Sequence, residues 1–473
     1  MRRAGRKCYI VQPLHVALRG SGNAESYQIC EVERMTMKHF GPTKLDATLI
    51  PKIAQQWGTP IYLHDQKYIE NSCEQLLSMP NAYGLHVRYA MKANSDRTVL
   101  RIVTNKGLDL DCSSLNEAAR AFAAGVPYAR MMLTTQEVPS GEERAELEEM
   151  IRAGLKYNVC SMTQFQLIAD FAKSTNIDLS IRVHPGATGG GESATRDTGS
   201  EYSCFGVHLN DVPTVKAMAD KLGLRFTQVH VHIGSGGDPE KWRQNIDREL
   251  GFVRTYFPDA TTVSFGGGLK VARMPGEKQA DIAALGAYAA QRIKEFKDAT
   301  GRELQMEVEP GTYVVANSGH IITRIIDKKL TNELNFLIVD GGMELLTRPL
   351  LYGSEHPIAI VRQDGTLLSS EYDGKLTTAL KSFGIVGRCC ESGDSVRLDN
   401  DGNIVPVLIA EPEIGDYVVI GGTGAYSESM SPENYNSHRK PPAVMRTRSS
   451  ELVLIRKKQL REQLTQNELD VKL

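Results

Sequence analysis

Along this chain a few chemically capable residues recur at one kind of position, the end of a short apolar run. Lys92 follows Y-A-M, Asp111 ends G-L-D-L-D, and Glu309 follows L-Q-M-E-V, just before Pro310 and Gly311. His230 and His232 alternate in Q-V-H-V-H-I ahead of Gly234, Ser235 and Gly236, and Gly266, Gly267 and Gly268 follow T-T-V-S-F. Two histidines on one face of a strand could serve a metal, but no third ligand of suitable spacing accompanies them, so no metal is expected. Bare backbone N–H groups in a glycine run suit a phosphate instead. One chemistry uses a lysine amine, a phosphate cradle, a flat-ring neighbour and a buried carboxylate together. It is pyridoxal 5′-phosphate (PLP) catalysis, in which the lysine carries the cofactor covalently.

Such residues must be gathered by the elements that carry them. Eight β-rich runs alternate with helical patterns: 85–91, 107–111, 130–134, 155–159, 179–184, 228–233, 261–265 and 304–308. Helix-like segments lie between them, such as S-L-N-E-A-A-R-A-F-A-A-G, with a capping-box start and a terminal glycine. Eight βα units predict a (β/α)₈ TIM barrel, whose chemistry collects where the strands end. A doubly wound open sheet is the alternative. After residue 316 the runs 335–340, 356–361, 383–388 and 416–420 follow one another across glycine-rich turns, which predicts a second, all-β domain of barrel or sandwich type.

The organisation expected is a disordered extension over 1–36 and a segment over 37–75 that packs with the β domain. The PLP-binding barrel then occupies 76–316, the β domain 317–446, and a charged helical tail 447–473.

Composition bounds the function. A formal net charge of −2 over 473 residues, with 41% hydrophobic content, gives no footing for a nucleic-acid or polyanion binder. No apolar run approaches the roughly 20 residues of a membrane span. The eight cysteines are scattered without C-x-x-C spacing, so a reducing, cytoplasmic setting is expected.

Eight segments in order carry a more specific signal: Y-A-M-K-A-N, L-D-C-S-S-L-N-E, H-I-G-S-G, F-G-G-G, E-P-G, R-P-L-L-Y, C-E-S-G-D and G-A-Y-S-E-S-M-S-P-E-N-Y-N. From about residue 45 to 446 the chain resembles the fold type III, alanine-racemase-like PLP-dependent decarboxylases, and within them the diaminopimelate decarboxylase family. The resemblance implies that Lys92 binds PLP, Glu309 faces the ring nitrogen and His232 lies against the ring. Ser235, Gly266, Gly267, Gly268, Gly311 and Tyr426 would surround the phosphate, and Asp111 and Glu117 would help fix Lys92. Arg348 and Tyr352, with Tyr426, would bind substrate. Cys390 would return a proton to Cα and Glu391 would meet the distal ammonium, both reaching across the interface of a homodimer with shared sites. Cys389 is read as a small buried core residue.

The expected reaction is decarboxylation of meso-2,6-diaminopimelate to L-lysine, the last step of lysine biosynthesis. Alternatives are the same reaction on ornithine, arginine or carboxynorspermidine, a PLP-dependent racemase, or a non-catalytic regulatory homologue. Two departures matter. Thr312 stands where the family pattern has an arginine that binds substrate carboxylate, and Cys204 where it has a lysine or arginine. Arg273, with Lys270 as the second choice, is the candidate replacement cation, on the loop that follows the glycine run.

Overall fold

The parallel strands Leu85–Ala90, Asp109–Cys112, Met131–Leu133, Lys156–Val159, Leu179–His184, Phe226–His230, Thr262–Ser264 and Gln305–Val308 pair in that order. The last closes on the first, with Met306 opposite Leu85 and Val308 opposite Val87. The computed structural model describes residues 44–186, 197–234, 238–372 and 379–472. The expected extension over 1–36 and Ser235 lie outside them. All eight strands expected from the sequence are present, and they form the closed barrel.

Local sequence explains the connecting helices. Leu115–Ala123 starts where Ser114 Oγ accepts from the Glu117 amide at 3.0 Å, while Glu117 Oε2 accepts from the Ser113 amide at 2.6 Å. It buries Leu115, Ala118 and Ala121, one helical face at three-residue spacing. Outward strand positions such as Val229, Val263 and Val308 are fully buried beneath the helices.

Inward positions are often polar. Arg88 Nε lies 2.7 Å from Glu307 Oε2, and Gln228 Nε2 donates to Glu307 Oε1 at 2.6 Å, all three being nearly inaccessible. A buried charge is tolerated where it is paired and hydrogen-bonded, and this one is both.

Among the described residues the second sheet has ten strands. At its centre Ile61–Asp65, from ahead of the barrel, runs antiparallel to Gly319–Lys329 and parallel to Ala443–Arg446. Alternate residues serve opposite faces, as the pleat requires. Tyr62, Ile321 and Val418 join one core, and Ile61, Ile322 and Val419 join the other, beneath the helix Leu49–Trp57.

The tail differs from expectation. Instead of a charged helix over 447–473, the chain turns at Thr447 and Ser450 and returns as strand Leu452–Arg456, antiparallel to Ala443–Arg446. Ile455 packs against one core of the β domain and against the barrel core, Leu452 packs against the other β-domain core, and Arg456 forms an ion pair with the buried Glu428. Strand pairing and that ion pair override the helical pattern of the charges. Among the described residues, no helix is long and apolar enough to cross a membrane.

Candidate active site

Lys92 sits in a single 3₁₀ turn, Met91–Ala93, directly beyond the first barrel strand. The turn is held from both domains. Tyr89 Oη donates to Asn94 O at 2.9 Å from the barrel, while the Tyr426 amide donates to Ala93 O at 2.8 Å and Ser429 Oγ to Lys92 O at 2.8 Å from the β domain. Tyr426 adopts φ of 55°, a left-handed conformation unusual for a bulky residue, and its side chain borders the same cavity as Lys92.

That cavity has a volume of about 880 Å³, and Lys92, 44% exposed, opens onto it. A narrower recess continues beneath it, past Asp111, His230 and Glu309. Lys92 Nζ is 3.9 Å from Asp111 Oδ2. Burial, and then the charge of Glu309, push the Asp111 carboxyl up to about 8, against the pull of Lys92. For the Lys92 ammonium burial works downward, but Asp111 and Tyr426 outweigh it and hold the ammonium above the usual lysine range.

Glu309 is buried, with Oε2 2.9 Å from His230 Nε2 and Oε1 accepting from Ser264 Oγ at 3.3 Å. Burial alone would raise its pKa, but the contact with His230, with the charge of Lys92 behind it, brings it down to about 2. His232 Nδ1 accepts from the Gly267 amide at 2.9 Å. Burial, then Arg182 and Lys92, hold the His232 imidazole well below its ordinary range, so it is a neutral flat ring at pH 7.

The glycine run is sterically obligatory. A Cβ on Gly267 would fall 2.6 Å from Glu309 O, and one on Gly268 2.7 Å from Gly234 O. Gly266 and Gly268 also have φ of 65° and 90°, which favours glycine. The amine, the neutral ring, the ionised carboxylate and the side-chain-free backbone thus converge on one recess, and that set fits PLP.

The wider cavity gathers the expected substrate contacts. Arg348, on the short helix Arg348–Tyr352, is buried and donates to Ser354 Oγ at 3.2 Å, with Cζ 5.7 Å from the Tyr352 ring centre. Lys270, Arg273 and Thr312 border the same space. Glu277 folds the Lys270 loop by accepting from the amides of Arg273 and Met274 at 2.7 and 2.9 Å. Arg273 Nε donates to Gly422 O at 3.0 Å, which ties this loop to the β domain.

Other expected residues lie elsewhere. Glu117 caps its helix through the Ser113 amide, whereas Asp111 is the carboxylate 3.9 Å from the Lys92 amine. Cys390 and Glu391 are exposed and do not border the cavity. Their loop is nonetheless firmly built, since Asp394 accepts from the amides of Met343 and Cys389 at 2.6 and 2.7 Å and Asn436 Oδ1 accepts from the Cys390 amide at 2.7 Å. Cys389 is half-buried rather than a core residue, with Sγ 3.4 Å from Glu344 Oε2, because this loop packs on carboxylates and not on apolar side chains.

Sequence reasoning overlooked Arg182, Phe205 and Asn158, and weighed His230 only as a metal ligand. Arg182 is buried, borders the cavity and lies 5.0 Å from the centre of the Phe205 ring. The available signal was the alternation in L-S-I-R-V-H, which sends Ser180, Arg182 and His184 to one face of a strand buried along its whole length.

Comparison with known proteins agrees with this geometry. Residues 69–316 match the family model of the pyridoxal-dependent decarboxylase pyridoxal-binding domain. The chain is 31% identical to the diaminopimelate decarboxylase of Escherichia coli K12 over 431 residues, covering 90% of this chain and 98% of that protein. It superposes with a TM-score of 0.79 on a crystal structure of a diaminopimelate decarboxylase, at 29% identity and covering 89% and 96% of the two chains. The Helicobacter pylori diaminopimelate decarboxylase complexed with L-lysine gives a TM-score of 0.72, 26% identity and coverage of 88% and 98%.

Proposed function

This chain belongs to the diaminopimelate decarboxylase family of PLP-dependent enzymes, and we propose that it decarboxylates the D-configured centre of meso-2,6-diaminopimelate to give L-lysine and CO₂. The observation that carries this reading is the wall beside Lys92. Three cations from two segments, Lys270 and Arg273 on one loop and Arg348 on the short helix Arg348–Tyr352, border one cavity, as suits a substrate with two carboxylates.

PLP, when bound, supplies the electron sink that accepts the pair left when the bond to CO₂ breaks. Lys92 holds the cofactor, with Asp111 and Glu117 setting the charge around its amine. Glu309, kept ionised by its contact with His230, would favour a proton on the ring nitrogen, and neutral His232 would lie against the ring. The Gly266–Gly268 backbone, Gly311 and Tyr426 would line the phosphate. Arg348 and Tyr352 hold one carboxylate, and Arg273, with Lys270 beside it, does the work for which Thr312 is too short and neutral. The reacting carbon needs one proton in place of CO₂. Cys390 delivers it and Glu391 binds the distal ammonium, both reaching in from the other subunit of a cytoplasmic homodimer. The loop of Cys390 and Glu391, firmly held yet exposed and away from its own cavity, supports that arrangement.

Purified protein given PLP and meso-diaminopimelate should release CO₂ and L-lysine in equal amounts. Absence of both products refutes the proposal.

A further inference from the structure

We infer that His230 is a positioning residue for Glu309 and that the side-chain amide of Asn158 fixes its tautomer. This deepens the reading of Glu309 as the partner of the cofactor's ring nitrogen, and it rests on that reading.

The geometry runs across the barrel interior. His230, 1% exposed, places Nε2 2.9 Å from Glu309 Oε2. At that distance two sets of lone pairs would repel, so the ring nitrogen facing an ionised carboxylate is the one that carries a proton. In a neutral ring Nδ1 is then an acceptor, and Asn158 Nδ2, fully buried on the strand Lys156–Val159, lies 3.1 Å from it. The rest of that amide is satisfied in the same orientation, with Nδ2 also 3.3 Å from Thr134 Oγ1 and Oδ1 accepting from Ser180 Oγ at 2.9 Å.

Glu309 needs such support. It shares the recess with Asp111, another buried acid, and burial favours the neutral carboxyl in both. A neutral Glu309 could not hold a proton on a ring nitrogen. Lys92 and His232 also face the recess, but His232 spends Nδ1 on the Gly267 amide and Lys92 stands nearest to Asp111. His230 is the group in direct contact with the carboxylate, and Ser264 braces the opposite oxygen. The hydroxyl and amide chain from Thr134 and Ser180 through Asn158 therefore ends on the orientation and charge of Glu309.

The test is equilibrium binding of PLP to apoprotein, followed by absorbance, for His230→Phe, His230→Gln, Asn158→Leu and Glu309→Gln, with thermal melts to check folding. His230→Phe and Asn158→Leu should weaken PLP binding about tenfold or more and alter the bound-cofactor spectrum. His230→Gln, whose amide can present an N–H near the position of Nε2, should stay within about threefold of wild type. Wild-type affinity and spectrum in His230→Phe, while Glu309→Gln is impaired, overturns the inference. So does a His230→Gln protein as impaired as His230→Phe. Should His230→Phe not fold, Asn158→Leu decides by the same criterion. If Glu309→Gln itself binds PLP with wild-type affinity and spectrum, the assignment of Glu309 to the ring nitrogen fails instead.

Discussion

Lys92 Nζ and Asp111 Oδ2 stand 3.9 Å apart where two barrel strands end, and the other Asp111 oxygen has no hydrogen-bond partner among the described residues. A carboxyl so placed costs stability when ionised. In the apoprotein Asp111 titrates near 8, against 3.8 for an unperturbed carboxyl. Between those values the folded state binds more protons than the unfolded state, so stability falls as pH rises through the interval.

Asp111→Asn removes that dependence. The variant apoprotein should match wild type near pH 4 and exceed it by about 1–3 kcal/mol at pH 8, an order-of-magnitude figure for a buried acid beside other charges. Denaturant unfolding at the two pH values checks this. A wild-type protein that gains stability relative to the variant on going to pH 8 contradicts it.

Gly267→Ala introduces a Cβ 2.6 Å from Glu309 O, a backbone atom that cannot swing aside. It should weaken PLP binding by about tenfold or more and lower apoprotein stability by about 1–3 kcal/mol, the usual range for overpacking. Titration of apoprotein with PLP and a thermal melt measure both effects.

Arg273→Ala should raise the KM for meso-diaminopimelate by about tenfold, the value of one charge-assisted contact, with a smaller effect on kcat. Lys270→Ala should have the lesser effect, since Lys270 lies 3.8 Å from Glu277 Oε1, which neutralises part of its charge. Equal KM values for wild type and Arg273→Ala would remove Arg273 from the site.

If the site is completed in trans, inactive Lys92→Ala and Cys390→Ala proteins should recover activity on mixing, because a mixed dimer holds one intact site. Randomly exchanged dimers at equal input should reach about one quarter of wild-type activity per mole. No recovery after demonstrated subunit exchange counts against shared sites.

Truncation separates the observed tail from the expected one. Removing 460–473 leaves strand Leu452–Arg456 and the Gln459 hydrogen bonds to Asn434 and Lys440, and should change stability by less than about 0.5 kcal/mol. Removing 451–473 deletes the strand and leaves Glu428 buried without Arg456, at a cost of about 3 kcal/mol or more. Urea midpoints of the two truncations decide.

Much of this architecture was legible because barrel strands and helices announce themselves by period and punctuation. Ser114 and Glu117 marked a helix start, and eight apolar runs marked eight strands. The positions of Lys92, Asp111 and Glu309 followed from counting strand ends. Less visible was the barrel interior, where Arg88, Asn158, Arg182 and His230 point inward from strands that otherwise read as uniformly apolar. Their partners, Glu307, Thr134, Phe205 and Glu309, are remote in sequence, and no local pattern pairs them. The tail failed for the opposite reason. Its local charge pattern suits a helix, and only the distant Glu428 and the neighbouring strand Ala443–Arg446 make Leu452–Arg456 extended. Cys390 and Glu391 lie on a surface loop, exposed and away from the cavity of their own chain, so no contact with that cavity marks them.

The most direct measurement is competition. Protein reconstituted with PLP is given equal concentrations of meso-diaminopimelate, L-ornithine and L-arginine, and the products are separated and quantified together. L-Lysine should exceed any other product by about a hundredfold or more, since the second carboxylate of meso-diaminopimelate, absent from the other two, is the group the extra cations bind. Putrescine or agmatine as the main product would contradict the proposed substrate, leaving the fold and cofactor in place.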